Sequence, residues 1–460
     1  MLTRRRFLQA AAVAAAGAAI PKRFVSSQEP GERPQQDRTV SVELPRLRVP
    51  LSLIIDDSTC LVNLNRFAIP QFAEAWRTVD PSRYQHDWRS MPHEIPDAFV
   101  RKFGEWCAEH AVKGKYSVVP YPACVGRLDR VLPGWTQQEL DQSIELVRSL
   151  MMPNWDIHPE MVTHTWAIDL KTGHPYPERS IKYMENWDFS VGKSADELAS
   201  YMAYALQILK NIGLPCEGIT TPGGFGNRVL PQLAQATLEA CRDVFQAEIP
   251  HYFRHLYDSG PRSVAPRVEY AAGLDTDAPR CVVSIIGCTG DWTGGWDCSN
   301  RGYLDRFITP DLQSGRMVEV IERGEPACIV CHWTGIYFNG EEVGFKIFQE
   351  VVRRLHARFD NIMWMKLSEI ARYWAAKELT GIERHQDRLV LRAPFGTPHF
   401  TLTIQAAPSG LPRIKHGAEQ KALEAAKDAL WLQSGQFLRR ENSVTVCFDL
   451  PRGTTEILFQ

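Results

Sequence analysis

The chain has 460 residues, 44% of them hydrophobic and 23% charged. That is enough for a catalytic domain of about 300 residues with a smaller module beside it, and the balance excludes wholesale disorder. A net charge of −2, with no long basic run after the first 25 residues, excludes nucleic acid as the expected partner.

The N-terminus, "MLTRRRFLQAAAVAAAGAAIPKR", is a basic segment followed by an Ala-rich apolar run over residues 7–20. The run is too short to span a bilayer and has the shape of an export signal. Thr3-Arg4-Arg5-Arg6-Phe7-Leu8-Gln9 has the order of a twin-arginine signal. Residues 1–26 are therefore expected to be a signal peptide that engages the twin-arginine (Tat) export machinery, toward the periplasm or the extracellular space. Such signals export chains that are already folded, often with a cofactor loaded, which favours a metalloprotein. Residues 27–48 are polar, Pro-containing and aperiodic, and read as a linker.

From Val49 apolar strand-like runs alternate with amphipathic helices. "VPLSLIID" is followed by a helix near Pro96 to Val112 and then by "KYSVVPYP". The capping box Thr136-Gln137-Gln138-Glu139 opens a helix to about Met151, with Leu140, Ile144, Val147 and Leu150 on one face. After "WDIHPEMVTH", a second capping box, Ser194-Ala195-Asp196-Glu197, starts a helix that carries Leu198, Tyr201, Met202, Ala205 and Leu209 and ends near Gly213. "EGITTP", a helix near Leu230 to Phe245, "CVVSIIG", "ACIVCHW", a helix near Val343 to Phe359 and "NIMWMK" complete the series. Repeated strand and helix with continuously apolar strands predicts a parallel α/β fold, a (β/α) barrel over residues 49–378. Residues 379–460 change to period-two alternation in "RLVLRAP", "HFTLTIQAA" and "SVTVCFDL", which predicts a small C-terminal β module, a sandwich with a packing role.

In such folds the active site lies at the C-terminal ends of the strands. "LSLII" ends in Asp56-Asp57, "WDI" leads into His158, Glu160 and His164, "EGIT" into Thr221-Pro222-Gly223-Gly224, "VVSIIG" into Asp291 and Trp292, and "ACIVC" into His332. Successive strand residues face opposite ways, so one of the two aspartates can bind a metal while the other faces the substrate. A mixed Asp and His set suits zinc or another first-row divalent ion with a position left open for water. His174, His251, His255, His356 and His385 have no such context and read as surface or core residues. The eleven cysteines are scattered, and Cys328 and Cys331, although spaced CxxC, lie in an apolar strand where they read as small buried hydrophobes. The glycine-rich segment Gly287–Gly302 suits a substrate loop. Trp166, Trp187, Trp292, Trp296, Trp333 and Tyr337 are candidates to stack on sugar rings.

The order "SLIIDDS", "HPEMVTH", "TTPGGFG", "CIVCH" resembles the polysaccharide deacetylase (NodB-homology) superfamily over residues 49–376. The resemblance implies a distorted (β/α) barrel and a metal-dependent hydrolase that removes acyl groups, N-acetyl above all, from a carbohydrate substrate. It implies Asp56 as general base, Asp57, His158 and His164 as ligands of a divalent metal, zinc first, and His332 as general acid. Pro222, Gly223, Trp292 and Trp333 would then contact substrate. Three positions depart from the family pattern. His158 and His164 are six apart where four is usual, which makes Glu160 the alternative ligand; Ser58 stands where Gly is usual; and Thr220 stands where an arginine normally orients the base. Two other functions stay open: a glycoside hydrolase that uses Asp56 or Asp57 with Glu160, and a non-catalytic carbohydrate-binding relative.

Overall fold

The computed structural model describes residues 31–459, so the expected signal peptide lies outside the described residues. The central strand, Val49–Asp56, is buried along its whole length. Its side chains alternate: Leu51, Leu53 and Ile55 join the core beneath the helices, while Ile54 packs with Phe253, Val283 and Val330 on the inner face. Asp56, two residues on, shares the inner face. The strand pairs in parallel with Ala327–His332 on one side and Gly114–Ser117 on the other, and its first residues also meet Ile362–Trp364. Gly114 permits this approach, because a Cβ there would lie 1.9 Å from the carbonyl oxygen of Leu53.

Trp155–His158 continues this sheet beyond Gly114–Ser117. A second sheet contains the parallel strands Gly218–Thr220, His251–Leu256 and Arg280–Gly287, with Arg267–Ala272 antiparallel at its edge. Hydrogen bonds join the two sheets at both seams: Thr220 N donates to Pro159 O at 3.0 Å, and Cys288 N to Cys328 O at 2.8 Å. The fold is mixed α/β, and the polar ends of the parallel strands all come out on one side.

Both predicted capping boxes are present, Thr136 with Glu139 and Ser194 with Glu197, each side chain accepting from the other residue's backbone N–H. Each satisfies helix-end donors that would otherwise be orphaned, and is worth about 1 kcal/mol. The helix Leu64–Trp76 was not expected, because Pro70 inside it reads as a breaker. It matters below because it carries Asn65. All eleven cysteines are free, and Cys328 and Cys331 are buried as small hydrophobes.

Beyond Leu379 the chain supplies all but one strand of two five-stranded sheets, largely antiparallel. Leu389, Leu391, Phe400, Leu402, Val444 and Phe448 share one core with Ile370, Tyr373 and Trp374 of the helix Leu367–Leu379, so the module is built onto the α/β unit through that helix. The segment expected to be a bare linker also takes part. Val40–Val42 pairs antiparallel with Thr397–Gln405, and Gln36 Nε2 donates to Lys377 O and Thr380 O. Three residues are too few for a period-two signal, which is why composition alone reads this stretch as linker.

Candidate metal and catalytic site

Asp57 follows directly on the central strand and takes a left-handed backbone, φ 61°. Its side chain is thereby turned away from Asp56 and into a buried cluster with Glu160 and His164. Oδ1 of Asp57 lies 3.2 Å from His164 Nε2, and Oε1 of Glu160 lies 3.4 Å from His164 Nδ1. One donor atom from each of the three falls within 4.8 Å of the others. Glu160 Oε2 also accepts from the Asp57 backbone N–H at 2.8 Å, tying the two strand ends together.

Two observations show that this set fits a divalent cation. Asp57 Oδ1 and His164 Nδ1 have only the ion-pair contacts just given, which are too poorly aligned for hydrogen bonds, and Asn65 Oδ1 and Asn186 Oδ1 beside them are buried with no hydrogen-bond partner; buried polar atoms are seldom left so. Met161 and His164, like Asp57, have positive φ (54° and 64°), a conformation that costs non-glycine residues about 1–3 kcal/mol each and persists only where surroundings enforce it. The enforcing group is Glu185. Its carboxylate accepts from the backbone N–H groups of Val162, Thr163 and His164 and from the Tyr201 hydroxyl. Burial opposes charge on His164, but Asp57 and Glu160 outweigh it and lift the imidazole pKa to about 9. Burial likewise opposes charge on Glu160, and His164 more than reverses that. A proton on His164 thus does the neutralising that a bound cation would do, and a metal would compete with that proton.

His158 is not part of this cluster, which corrects the expected ligand set in favour of Glu160. His158 is the last residue of its strand and Glu160 lies two beyond it on the same face, so the two stand one layer apart. In the lower layer His158 Nε2 lies 3.0 Å from His251 Nε2, and His158 Nδ1 lies 3.3 Å from Thr220 Oγ1. His251 Nδ1 faces Ile249 O, and the nearby Asp156 accepts from Ser368 N and Oγ at 2.6 and 2.8 Å. His251, expected to be without a role, belongs to this network. Every polar group of this lower cluster already has a protein partner.

Asp56 and His332 stand opposite each other, paired in register across adjacent strands. Burial raises the Asp56 carboxyl to about 6 against the pull of Lys115, whose ammonium contacts Oδ1. His332 Nδ1 lies 2.7 Å from Asp291 Oδ2. Burial lowers the His332 pKa, but Asp57, Asp291 and Asp56 outweigh it and raise it to about 10. The pair therefore combines a carboxylate poised near neutrality with a standing imidazolium, the two forms that general base and general acid require. Asn65 Nδ2 lies within hydrogen-bond distance of Asp57 Oδ2, Trp296 O and Thr334 Oγ1, joining the Asp57, Glu160 and His164 cluster to the glycine-rich loop.

The expected substrate contacts divide. Trp333 is 1% exposed and packs on Phe99, Phe103 and Tyr116, and Trp292 is buried against Phe307, so both are core residues rather than sugar platforms. Gly223, φ 44°, is exposed and lies against the backbone of Asn186, whose Nδ2 is 3.3 Å from His164 Nε2; Pro222 beside it is buried. Trp187 and Trp296 remain partly exposed and, with Tyr84, surround Phe72, which contacts His164. Lys115, Glu185, Asn65 and Asn186 were not expected from sequence. Lys115 alone left a signal there, as a charge in an otherwise strand-like run.

No family model matches the chain, and no curated protein matches it. Among solved structures, the Thermotoga maritima alpha-fucosidase aligns with 10% identity over 90% of this chain and 97% of that one, at a TM-score of 0.31. A protein described as a glycoside hydrolase aligns with 9% identity over 80% of this chain and 90% of that one, also at 0.31. The catalytic domain of GH30 xylanase C from Talaromyces cellulolyticus aligns with 7% identity over 92% and 99%, at 0.20. These proteins are carbohydrate-active hydrolases by name, and superpositions at such scores carry no activity over to this chain.

Proposed function

We propose that the chain is an exported, metal-dependent hydrolase, a divergent deacetylase-like (β/α) barrel that removes acyl groups, N-acetyl first, from a carbohydrate. The observation that carries this is the buried convergence of Asp57, Glu160 and His164, whose donor atoms Asp57 Oδ1 and His164 Nδ1 make no aligned hydrogen bond. A divalent cation held by these three, zinc or another first-row ion, would supply Lewis acidity and a water acidic enough to ionise near neutral pH. Asp56 accepts the proton of the attacking water. His332, held by Asp291, donates a proton to the leaving amine or alkoxide. The twin-arginine-like N-terminus suits export of a chain that folds around its metal first. The test is metal content by elemental analysis together with acetate release from N-acetylated oligosaccharides, before and after exhaustive chelation. The proposal expects near-stoichiometric metal and activity that is lost on chelation and restored by zinc.

Glycoside hydrolysis is the second reading, favoured by one observation: Asp56 is raised and Glu160 lowered, the opposed shifts of an acid and base pair. Against Asp57 as the partner of Glu160, both carboxylates close on the His164 imidazole, with one oxygen of each within 4.8 Å of the other. Release of reducing sugar that survives chelation would establish this second reading and overturn the first. Carbohydrate binding with no turnover, unchanged by Asp56→Asn, would instead mark a non-catalytic relative.

A further inference from the structure

A cation sits beneath Asp56, and it comes from the neighbouring strand. Lys115 lies mid-strand in Gly114–Ser117 and is 0% exposed. Its three ammonium hydrogens have three acceptors: Ile55 O at 2.8 Å, Ser117 Oγ at 2.8 Å and Asp56 Oδ1. An ammonium has three donors and no acceptor, so this environment is complete for the charged form. A buried charge carries a large desolvation penalty and would be replaced at little loss by a packed apolar side chain if stability were all that mattered. Thr220, where the resembled family places the arginine that orients its base, instead turns its hydroxyl toward His158. Among the described residues no protein donor reaches Asp56 Oδ2, and Asp56 keeps 6% exposure.

We propose that Lys115 is the positioning cation of this site: it grips Oδ1 of Asp56 from below, holding Oδ2 toward the attacking water. The chain thus supplies from the neighbouring strand the positive charge that Thr220 cannot. The inference rests on the function proposed above. Lys115 does not touch the reacting atoms; it acts through Asp56.

The experiment uses the full-length, metal-loaded enzyme with Lys115→Met and Lys115→Arg, read by metal content, thermal midpoint, and kcat and KM for acetate release. Lys115→Met should lower kcat roughly 100-fold or more while KM changes less than about threefold and metal is retained. Lys115→Arg, which keeps the charge, should recover about tenfold or more of that loss. A purely structural lysine would shift the thermal midpoint and leave kcat of the folded enzyme unchanged. If Lys115→Met does not fold, Asp56→Asn/Lys115→Met removes both charges together and relieves the uncompensated carboxylate. Its kcat should equal that of Asp56→Asn alone, since a residue that acts only through Asp56 has nothing left to position. A double variant markedly slower than Asp56→Asn, or a folded Lys115→Met with kcat within about threefold of the parent, overturns the proposal. A parent enzyme without metal or deacylation overturns the function itself, and this is read before any variant is made.

Discussion

Two clusters of histidine and carboxylate lie one layer apart in this molecule and draw on the same residue types. In the upper cluster, Asp57, Glu160 and His164 meet on backbone that includes left-handed residues and leave buried donor atoms without an aligned hydrogen bond. In the lower cluster, Asp156, His158 and His251 spend every polar group on a serine, a threonine, a carbonyl or each other. Proximity nominates both as metal sites, since in each one donor atom per residue lies within 4.8 Å of the others, and hydrogen-bond accounting separates them. The fold enforces strain where donors are to stay open, and relaxes where they are closed.

The largest test of that contrast removes an upper donor. Glu160→Ala should abolish bound metal and lower turnover by about 10³-fold or more, whereas His158→Gln should leave the metal content, by elemental analysis, unchanged. The opposite outcome would exchange the roles of the two layers. Asp56→Asn should keep the metal and lower kcat by roughly 10²–10³-fold. In the metal-free protein Asp56 is raised to about 6 and His332 to about 10; a cation beside Asp57 would lower both, so kcat/KM should rise with pH on an acidic limb at or below about 6 as Asp56 ionises and fall on a basic limb below about 10 as His332 loses its proton. A profile flat through the acidic limb would remove Asp56 as base.

Glu185→Gln tests the enforcement itself. It puts an amide N–H₂ against backbone donors and should weaken metal binding by about 10–100-fold, measured by competition with a chromogenic chelator. The pH dependence of stability sharpens the same point. His164 in the metal-free protein is raised from its ordinary value to about 9. Its contribution is therefore fully present below about pH 6.5 and is lost as pH rises through about 9. Thermal midpoints of chelated protein should fall across that window, and the gain on adding zinc should grow with pH. The smallest effect belongs to the lower layer, where His158→Gln should cost about 1–3 kcal/mol in denaturant unfolding and leave kcat intact.

Much of this was legible from residue order. Strand ends flagged Asp56, Asp57, His164 and His332, because apolar runs that stop at polar residues mark the mouth of a parallel α/β fold. Both capping boxes and the β character of the C-terminal module were read from local pattern. Trp292 and Trp333 were misjudged because an aromatic after a strand looks the same in sequence whether it faces solvent or the helices. The helix Leu64–Trp76 was hidden by Pro70, and with it Asn65.

The order of strands and helices, the helix starts and the strand-end carboxylates and histidines are determined by the sequence by itself, since each depends on periodicity and capping within a few residues. The choice of Glu160 over His158 was decided only by tertiary structure, because a two-residue step along a strand moves a side chain by a whole layer, and which layer meets Asp57 depends on how neighbouring strands align. The same holds for the cation beside Asp56: Thr220 and Lys115 are on different strands, and only their packing around one interior decides which of them faces the carboxylate.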